Sequence, residues 1–171
     1  MGRSLNILIA GGGIGGLTAA LTLQARGHRV TVCEATAQLK PLGVGINLLP
    51  HAVAVLDGLG LLAGLREIAI ETSALVFANR HGQTIYSDTR GLAGGYSHPQ
   101  LSIHRGQLQL RLWAEAEARL GAEQLRAGQR VTAVRTEVEQ VVAELTHSDG
   151  SASELRADVV IGADGIHSAI R

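Results

Sequence analysis

The chain has 171 residues, 46% of them hydrophobic and 18% charged, and its formal net charge is +0. This composition is typical of a globular domain with a sizeable core, and it excludes a disordered chain. A neutral chain with only four aromatic side chains has neither the basic surface nor the stacking platform that nucleic acids require, so we expect no nucleic-acid partner.

The chain begins as a β-α-β unit. Residues 5–10 predict a buried strand, residues 14–26 a helix capped by Gly27, and residues 29–33 a second strand parallel to the first. The next predictions, in chain order, are a loop at 40–50, a weak helix at 52–65 that is broken by Gly58, Gly60 and Gly64, strands at 74–78 and 84–87, and a loop at 90–99. A helix follows at 106–120, with an apolar face of Leu108, Leu112, Ala116 and Leu120. The chain then continues with antiparallel strands at 130–136, at 141–146 and after Gly150, and a buried strand at 157–162. This order predicts an α/β fold with a parallel core sheet and a small antiparallel β-meander.

A glycine motif lies between the first strand and the first helix. Gly11 permits a tight turn, Gly13 allows a pyrophosphate to approach the backbone, and Gly16 lets the helix pack closely on the strand. The helix start, with Ile14 and Gly15, offers unpaired N–H groups and the positive end of the helix dipole to phosphates. The motif in this context predicts a Rossmann-like dinucleotide-binding site.

Glu34 directly follows the second predicted strand, 18 positions after Gly16, where a carboxylate can accept hydrogen bonds from a ribose diol. A glycine-rich turn that only packs a helix on a strand would leave this placement unexplained. The carboxylate would repel a 2′-phosphate, so NADP is disfavoured in this slot, while NAD and FAD both remain open. Because the glycine motif, Glu34 and Asp164 each follow a predicted parallel strand, they should meet at one edge of the sheet.

The C-terminal segment narrows this choice. Residues 158–171 form a second apolar strand, an Asp164–Gly165 turn and a predicted helix start at Ser168, which a plain NAD domain does not require. The glycine motif, Glu34, Ile103-His104-Arg105 and the final segment occur in an order that resembles the FAD-dependent single-component aromatic hydroxylases, with the para-hydroxybenzoate hydroxylase-like fold. The resemblance covers the whole chain.

The resemblance extends to two loops. Residues 41–47 and 102–106 look most like the phenazine-1-carboxylate hydroxylase branch of this family, and salicylate and 3-hydroxybenzoate hydroxylases are near neighbours. It implies that Arg105 reaches the FAD pyrophosphate and ribose, where a guanidinium fork suits phosphate oxygens. A solvated surface arginine is the alternative for Arg105.

The Asp-Gly turn is also assigned by the resemblance. Asp164 is implied to serve both FAD and the approach of the nicotinamide cofactor, with Ser168 and Arg171 holding the turn. The alternative is an aspartate that only caps a strand-to-helix turn.

The remaining implied residues are Gly45, Lys40 and Val131. The loop containing Gly45 is expected near the isoalloxazine, with an ordinary flexible loop as the alternative. Lys40 stands where close relatives usually carry arginine, so it keeps the charge but loses the bidentate fork. Val131 would offer backbone groups to the adenine, so its side chain is expected to matter little. The complete predicted cofactor set is Gly11, Gly13, Ile14, Gly15, Gly16, Glu34, Lys40, Gly45, Arg105, Val131 and Asp164.

Local sequence features also bear on membrane insertion, disulfide formation and metal binding. Residues 5–25 contain five glycines and several polar side chains, so their hydrophobic density is too low for a membrane span. Cys33 is the only cysteine, which excludes an intrachain disulfide and fits a cytoplasmic protein. We interpret its side chain as a small buried hydrophobic group. The seven histidines show no metal-ligand spacing, and we predict no metal site.

The resemblance implies an NAD(P)H-dependent FAD monooxygenase that hydroxylates a small aromatic substrate of the phenazine or phenolic acid type. Relatives continue with a substrate-covering sheet and C-terminal helices. We therefore expect residues 1–171 to be the N-terminal portion of the FAD-binding domain, to lack the substrate domain and to carry no catalytic residue. A stand-alone FAD- or NAD-binding module, an NAD-dependent dehydrogenase and a flavin oxidoreductase without hydroxylase activity stay open, as do the aromatic substrate, the choice of NADH or NADPH, and homo-oligomer formation.

Overall fold

A computed structural model describes residues 3–170. They fall into two units: unit 1 comprises Met1–Lys40 and Gln109–Arg171, and unit 2 comprises Pro41–Leu108. The strands are β1 (Asn6–Ala10), β2 (Arg29–Glu34), β3 (Gly45–Leu48), β4 (Ala69–Thr72), β5 (Ala74–Ala78), β6 (Thr84–Thr89), β7 (Gln100–His104), β8 (Leu125–Ala127), β9 (Gln129–Thr136), β10 (Val141–His147), β11 (Ala152–Ala157) and β12 (Val159–Gly162). The helices are α1 (Ile14–Ala25), α2 (Pro50–Gly58), α3 (Leu62–Arg66) and α4 (Arg105–Leu120), with short 3-10 turns at Gly91–Gly94 and Ala122–Gln124.

The core of unit 1 is a four-stranded sheet in the order β12-β1-β2-β8, and every neighbouring pair is parallel. Four consecutive residues of β1, at positions 7–10, are buried, which is expected for a parallel strand covered on both faces. The predicted parallel sheet is confirmed. The capping glycine of α1 is also as predicted: Gly27 has φ +87°, and its N–H donates to the Gln24 carbonyl.

An antiparallel meander, β11-β10-β9, packs against this sheet. Val131 pairs with Leu145 next to a bulge in β9. The shared core between the two sheets consists of Leu8, Ala10, Cys33, Val131, Ala143, Leu145 and Ala157. This confirms the predicted meander and shows that its apolar side chains cover one face of the parallel sheet.

Unit 2 contains a three-stranded antiparallel sheet, β3-β7-β4, and a separate hairpin, β5-β6. The predicted loop at 40–50 is wrong, because it contains β3, and the strands β4 and β7 were not predicted. The broken helix predicted at 52–65 is observed as α2 and α3, with the interruption at residues 59–61, around Gly60. β3 has the sequence Gly-Ile-Asn-Leu, a weak local strand signal that becomes a strand by pairing with β7.

Two further features bear on the sequence predictions. No helix begins at Ser168 within the described residues, which end at Ile170. Over residues 3–170, no helix combines the length and the apolar character needed to cross a membrane.

Candidate dinucleotide-binding site

The glycine motif, the end of β2 and the segment after β12 lie at one edge of the parallel sheet in unit 1. β1 ends at Ala10, β2 at Glu34 and β12 at Gly162, and parallel strands present their carboxyl ends together. Two backbone hydrogen bonds join the segments: the Gly11 N–H donates to the Cys33 carbonyl (2.7 Å), and the Ala163 N–H donates to the Ala10 carbonyl (2.8 Å). The expected meeting of the three segments is therefore observed.

Gly11 and Gly16 are required by close backbone contacts. Gly11 has φ +108°, and a β-carbon there would lie 2.3 Å from the Ala163 carbonyl oxygen. A β-carbon on Gly16 would lie 2.0 Å from the Gly11 carbonyl oxygen. No side chain fits at either position, so these two glycines bring the turn, α1 and the segment after β12 into direct contact.

Gly13 and Gly15 have no such constraint. A β-carbon on either would meet no atom within 4 Å, and Gly13 has an ordinary extended backbone (φ −74°, ψ 176°) as the N-cap of α1. Packing within the chain therefore does not explain the absence of side chains here. The open space beside Gly13 is the space that a ligand approaching the backbone would need.

The start of α1 provides the complementary chemistry. The first helical hydrogen bond runs from the Leu17 N–H to the Gly13 carbonyl (2.9 Å), so the amides of Ile14, Gly15 and Gly16 have no acceptor within the helix. The first turn carries no acidic side chain. Amides without a helical acceptor at the positive end of the helix dipole, in a first turn that carries no carboxylate, suit a phosphate group.

Glu34 is half-buried and holds the glycine turn directly. Its Oε2 accepts the Gly12 N–H (2.7 Å), and its Oε1 accepts the Thr36 N–H (2.8 Å). Each carboxylate oxygen can accept a second hydrogen bond, which leaves capacity for a ribose diol. The residue therefore supports the turn as well as standing where a ribose-binding carboxylate is expected.

Sequence reasoning missed three residues that shape this turn: Gly12, which lies in it, and Gln109 and Trp113, which contact Gly12. The Gln109 Nε2 donates to the Gly12 carbonyl (2.9 Å), and a β-carbon on Gly12 would lie 2.8 Å from Trp113 Cζ3. The sequence signal was available, because Gln109 and Trp113 are one helical turn apart beside the apolar face of α4. Of that face, Leu108, Leu112 and Ala116 are buried as predicted, and Leu120 is half-buried.

The Asp164 carboxylate is bound by its own turn. Its Oδ2 accepts the Ala169 N–H (2.8 Å), and Gly165 has φ +84°. Burial raises the pKa of Asp164, but hydrogen bonds from the Ser168 hydroxyl and the Ala169 amide outweigh it, so the pKa lies below its ordinary value. The local-cap interpretation therefore describes real contacts of Asp164. Arg171, the other residue implied to hold the turn, lies outside the described residues.

Val131 lies on β9, which starts beside the end of β2: the Gly128 N–H donates to the Thr36 carbonyl (3.3 Å). The expectation that its side chain matters little is wrong for folding. The side chain is 4% exposed and belongs to the core between the two sheets. Truncating a core side chain of this kind removes buried apolar contacts and leaves a cavity.

The remaining predicted residues lie at the boundary of unit 1 and in unit 2. Lys40, the last residue of the first segment of unit 1, is exposed. In unit 2, Gly45 begins β3 and Arg105 begins α4. The Arg105 N–H donates to the Val44 carbonyl (3.0 Å), so Arg105 and the loop before β3 are neighbours within that unit. The Arg105 side chain is exposed, and no ion pair to it is formed by the described residues.

Cys33 and the possible metal ligands are the two other candidate centres. Cys33 is buried, and desolvation raises the pKa of its thiol to about 11 against a smaller lowering by Arg126, which makes it an unreactive core side chain as interpreted. Within residues 3–170, no group of three or more histidine, cysteine, aspartate and glutamate side chains is arranged to hold a metal ion.

A cavity of about 480 Å³ opens at the other end of unit 1, by the amino ends of β1 and β2. It is lined by residues such as Asn6, His28 and Arg29, and it contains none of the predicted site residues. The enclosed space and the dinucleotide chemistry therefore lie at opposite edges of the parallel sheet. A helix N-terminus that binds phosphate through its amides does not need an enclosed cavity. The amides and the Glu34 carboxylate therefore identify the candidate site, and the position of the cavity does not.

Residues 4–171 match the sequence model of a family described as "FAD binding domain". The chain belongs to this FAD-binding family. Its cofactor is therefore FAD, and the alternative of NAD in the glycine-motif slot is not supported. The open helix start at Gly13, the cluster of free amides and the carboxylate of Glu34 fit this dinucleotide.

The relatives of the chain are flavin monooxygenases. It is 45% identical over 170 residues to phenazine 1,6-dicarboxylic acid hydroxylase from Lysobacter antibioticus, covering 97% of this chain and 42% of the relative. It is 30% identical over 174 residues to 3-hydroxybenzoate 6-hydroxylase from Klebsiella oxytoca, covering 100% of this chain and 43% of the relative. The predicted resemblance to FAD-dependent aromatic hydroxylases is confirmed.

A solved structure gives the same result for the fold. 2-Methyl-3-hydroxypyridine-5-carboxylic acid oxygenase superposes with a TM-score of 0.78 at 28% identity, over 99% of this chain and 42% of that protein. The chain thus spans less than half the length of these relatives.

Proposed function

We propose that the chain is the FAD-binding portion of an NAD(P)H-dependent monooxygenase that hydroxylates a small aromatic acid of the phenazine or phenolic type. The observation that supports it most is the 45% identity to a phenazine dicarboxylic acid hydroxylase over 97% of the chain. The open glycine turn and Glu34 would supply an FAD site of matching chemistry. The substrate domain and any catalytic group would lie in other parts of the protein.

The proposed binding roles rest on the family resemblance and, for the glycine turn and Glu34, on their geometry as well. The amides at Gly13, Ile14, Gly15 and Gly16 would bind the pyrophosphate, with Gly11 shaping the turn. Glu34 would accept hydrogen bonds from the adenosine ribose, and the Val131 backbone would face the adenine. Lys40, Gly45, Arg105 and Asp164 complete the proposed set, with Arg105 and Lys40 supplying positive charge.

When bound, FAD supplies the chemistry: it accepts a hydride from NAD(P)H and, once reduced, lets molecular oxygen hydroxylate an electron-rich ring. The residues of this chain bind and orient the cofactor. They would neutralise the charge of the pyrophosphate and fix the adenosine end, which holds the flavin in place. A homo-oligomer is also part of this proposal, because the pyridine carboxylic acid oxygenase has been solved in a tetrameric form.

Expression of the complete open reading frame that contains the chain tests the proposal. The purified protein should be yellow with stoichiometric FAD. It should consume NADH or NADPH faster in the presence of a phenazine carboxylic acid or 3-hydroxybenzoate, and isotopically labelled molecular oxygen should place one labelled atom in the product. Cofactor oxidation without labelled product would favour a flavin oxidoreductase, and a colourless protein would contradict FAD binding.

A further inference from the structure

Gly12 is held from three sides. Its N–H donates to Glu34 Oε2 (2.7 Å), and its carbonyl accepts a hydrogen bond from Gln109 Nε2 (2.9 Å). The Trp113 ring closes the third side, since a β-carbon on Gly12 would lie 2.8 Å from its Cζ3. Gln109 and Trp113 are both half-buried on the same side of α4.

The contact to the carbonyl has a consequence for the next amide. The peptide bond between Gly12 and Gly13 is planar and trans, because no cis peptide bond occurs in the described residues. The carbonyl of Gly12 and the N–H of Gly13 therefore point in opposite directions. Because Gln109 fixes the carbonyl toward α4, the N–H of Gly13 is directed away from α4, and Gly13 is the residue at which a β-carbon meets open space.

We propose that Gln109 and Trp113 form an α4 clamp that orients the Gly12–Gly13 peptide and so presents the Gly13 amide to the FAD pyrophosphate. Both are positioning residues, because they act on the cofactor through Gly12. The inference rests on the proposed function of the glycine turn as the phosphate site. It also explains why the residue between Gly11 and Gly13 is a glycine in this chain: Trp113 and Glu34 leave no room for a side chain.

The chemistry of the proposed clamp explains why residue 109 carries a side-chain amide. A neutral donor can bind the Gly12 carbonyl without adding charge. A carboxylate of the same length would face that carbonyl as a second acceptor, stand near Glu34, which also contacts Gly12, and repel a bound pyrophosphate.

The test uses variants in the complete open reading frame that contains the chain, each stripped of FAD and titrated with it. Gln109→Leu should raise the FAD Kd about five- to tenfold, because one hydrogen bond that orients the site is lost. Gln109→Glu should raise the Kd more. Gln107→Leu is the matched control, because Gln107 is an exposed glutamine on the same helix, and its Kd should stay unchanged.

A second readout separates positioning from general stability. Hydrogen exchange in the apoprotein should accelerate in residues 13–17 of Gln109→Leu while β10 stays protected, with little change in Tm. Gly12→Ala should also weaken FAD binding, and adding Trp113→Phe should restore part of the affinity, because the shorter ring lacks the atom that the new methyl group would touch.

Three results would overturn the clamp: an unchanged Kd in Gln109→Leu, uniformly faster exchange with a matching fall in Tm, or no rescue in the double variant. Failure of the proposed function is distinguishable. If Gly13→Val keeps full FAD affinity, the glycine turn is not the phosphate site. If Gly13→Val loses FAD and Gln109→Leu does not, only the clamp is wrong.

Discussion

The glycine turn of unit 1 and the β5-β6 hairpin of unit 2 differ in what they offer to a binding partner. The turn offers backbone amides beside the open space at Gly13 and Gly15, and the backbone around them is fixed by Gly11, Gly16 and Glu34. The hairpin exposes apolar side chains: Phe77 is 54% and Tyr86 53% exposed, and every residue of β5 is exposed. A two-stranded hairpin of this kind is marginally stable in water by itself.

The difference indicates what each surface can bind. Polar groups that cannot relax are preorganised for a charged ligand, because the free energy of ordering them has already been spent in folding. Apolar side chains in a thin hairpin gain most from burial against another protein surface. The first surface therefore suits the cofactor, and the second suits protein contacts.

The largest effect should come from testing how firmly the turn is held. Gly11→Ala forces a β-carbon to within 2.3 Å of the Ala163 carbonyl oxygen at a φ that side chains rarely adopt, so we expect a loss of more than about 3 kcal/mol in the free energy of unfolding. Gly15→Ala is the control, because it meets open space in a helix and should stabilise by about 0.5–1 kcal/mol. Chemical denaturation measures both, and equal stabilities would mean the turn is not constrained as described.

The open part of the turn should respond differently. Gly13→Val introduces a β-carbon that meets no atom of the chain within 4 Å, so the variant should stay soluble with a change in stability of about 1 kcal/mol or less. It should nevertheless be colourless, because the side chain occupies the space beside the phosphate-binding amides. Absorbance of the purified complete protein measures this, and stoichiometric FAD would show that the glycine motif is not the cradle.

Glu34 connects the rigid part of the turn to the ligand. Glu34→Ala should weaken FAD binding by about 1–3 kcal/mol, since a charged acceptor for the ribose is lost. It should also lower apoprotein stability, because the Gly12 and Thr36 amides lose their acceptor. Glu34→Gln retains one acceptor oxygen and should have the smaller effect on both. An unchanged dissociation constant in Glu34→Ala would remove the residue from the site.

The hairpin tests the other half of the comparison. The 171-residue chain by itself should bind FAD weakly, show no hydroxylase activity and self-associate through the exposed apolar surface. Replacing Phe77 and Tyr86 with serine and threonine should reduce the association seen by sedimentation velocity. The control is Val138→Ser, which changes a fully exposed apolar side chain in unit 1. Association that is insensitive to the hairpin but lost in Val138→Ser would place the contact elsewhere.

Asp164 should give the smallest effect, and one that depends on pH. Hydrogen bonds make its folded-state pKa lower than the ordinary 3.8, so its ionised form stabilises the fold. This contribution is fully present above pH 3.8 and is lost as the pH falls through the lower folded-state pKa. The stability difference between the wild-type chain and Asp164→Asn should therefore shrink on acidification. A difference that stays constant down to strongly acidic pH would show that the carboxylate charge plays no part.

Sequence reasoning succeeded where the signal is local and continuous. The apolar runs of β1 and β12, the glycine motif and the capping Gly27 each prescribe one backbone geometry, so they could be predicted one segment at a time. The burial predicted for residues 157–162 is wrong, because β12 is the outer strand of the described sheet and Val159 is 37% exposed. Sequence reasoning failed for β3, β4 and β7, which are strands only because each finds a partner at a distance. It also gave Val131 a backbone role and overlooked that its side chain is part of the core.

By itself, the sequence determined the β-α-β start, the parallel sheet and the dinucleotide chemistry, because strand, turn and helix signals of fixed spacing require those geometries. Only the tertiary structure decided which glycines are held by packing and which face open space. It alone showed that Glu34 supports the turn and that Gln109 and Trp113 contact Gly12. Gln109 and Gly12 are 97 residues apart in the chain. Contacts of that separation depend on how helices pack on the sheet, which no local pattern specifies.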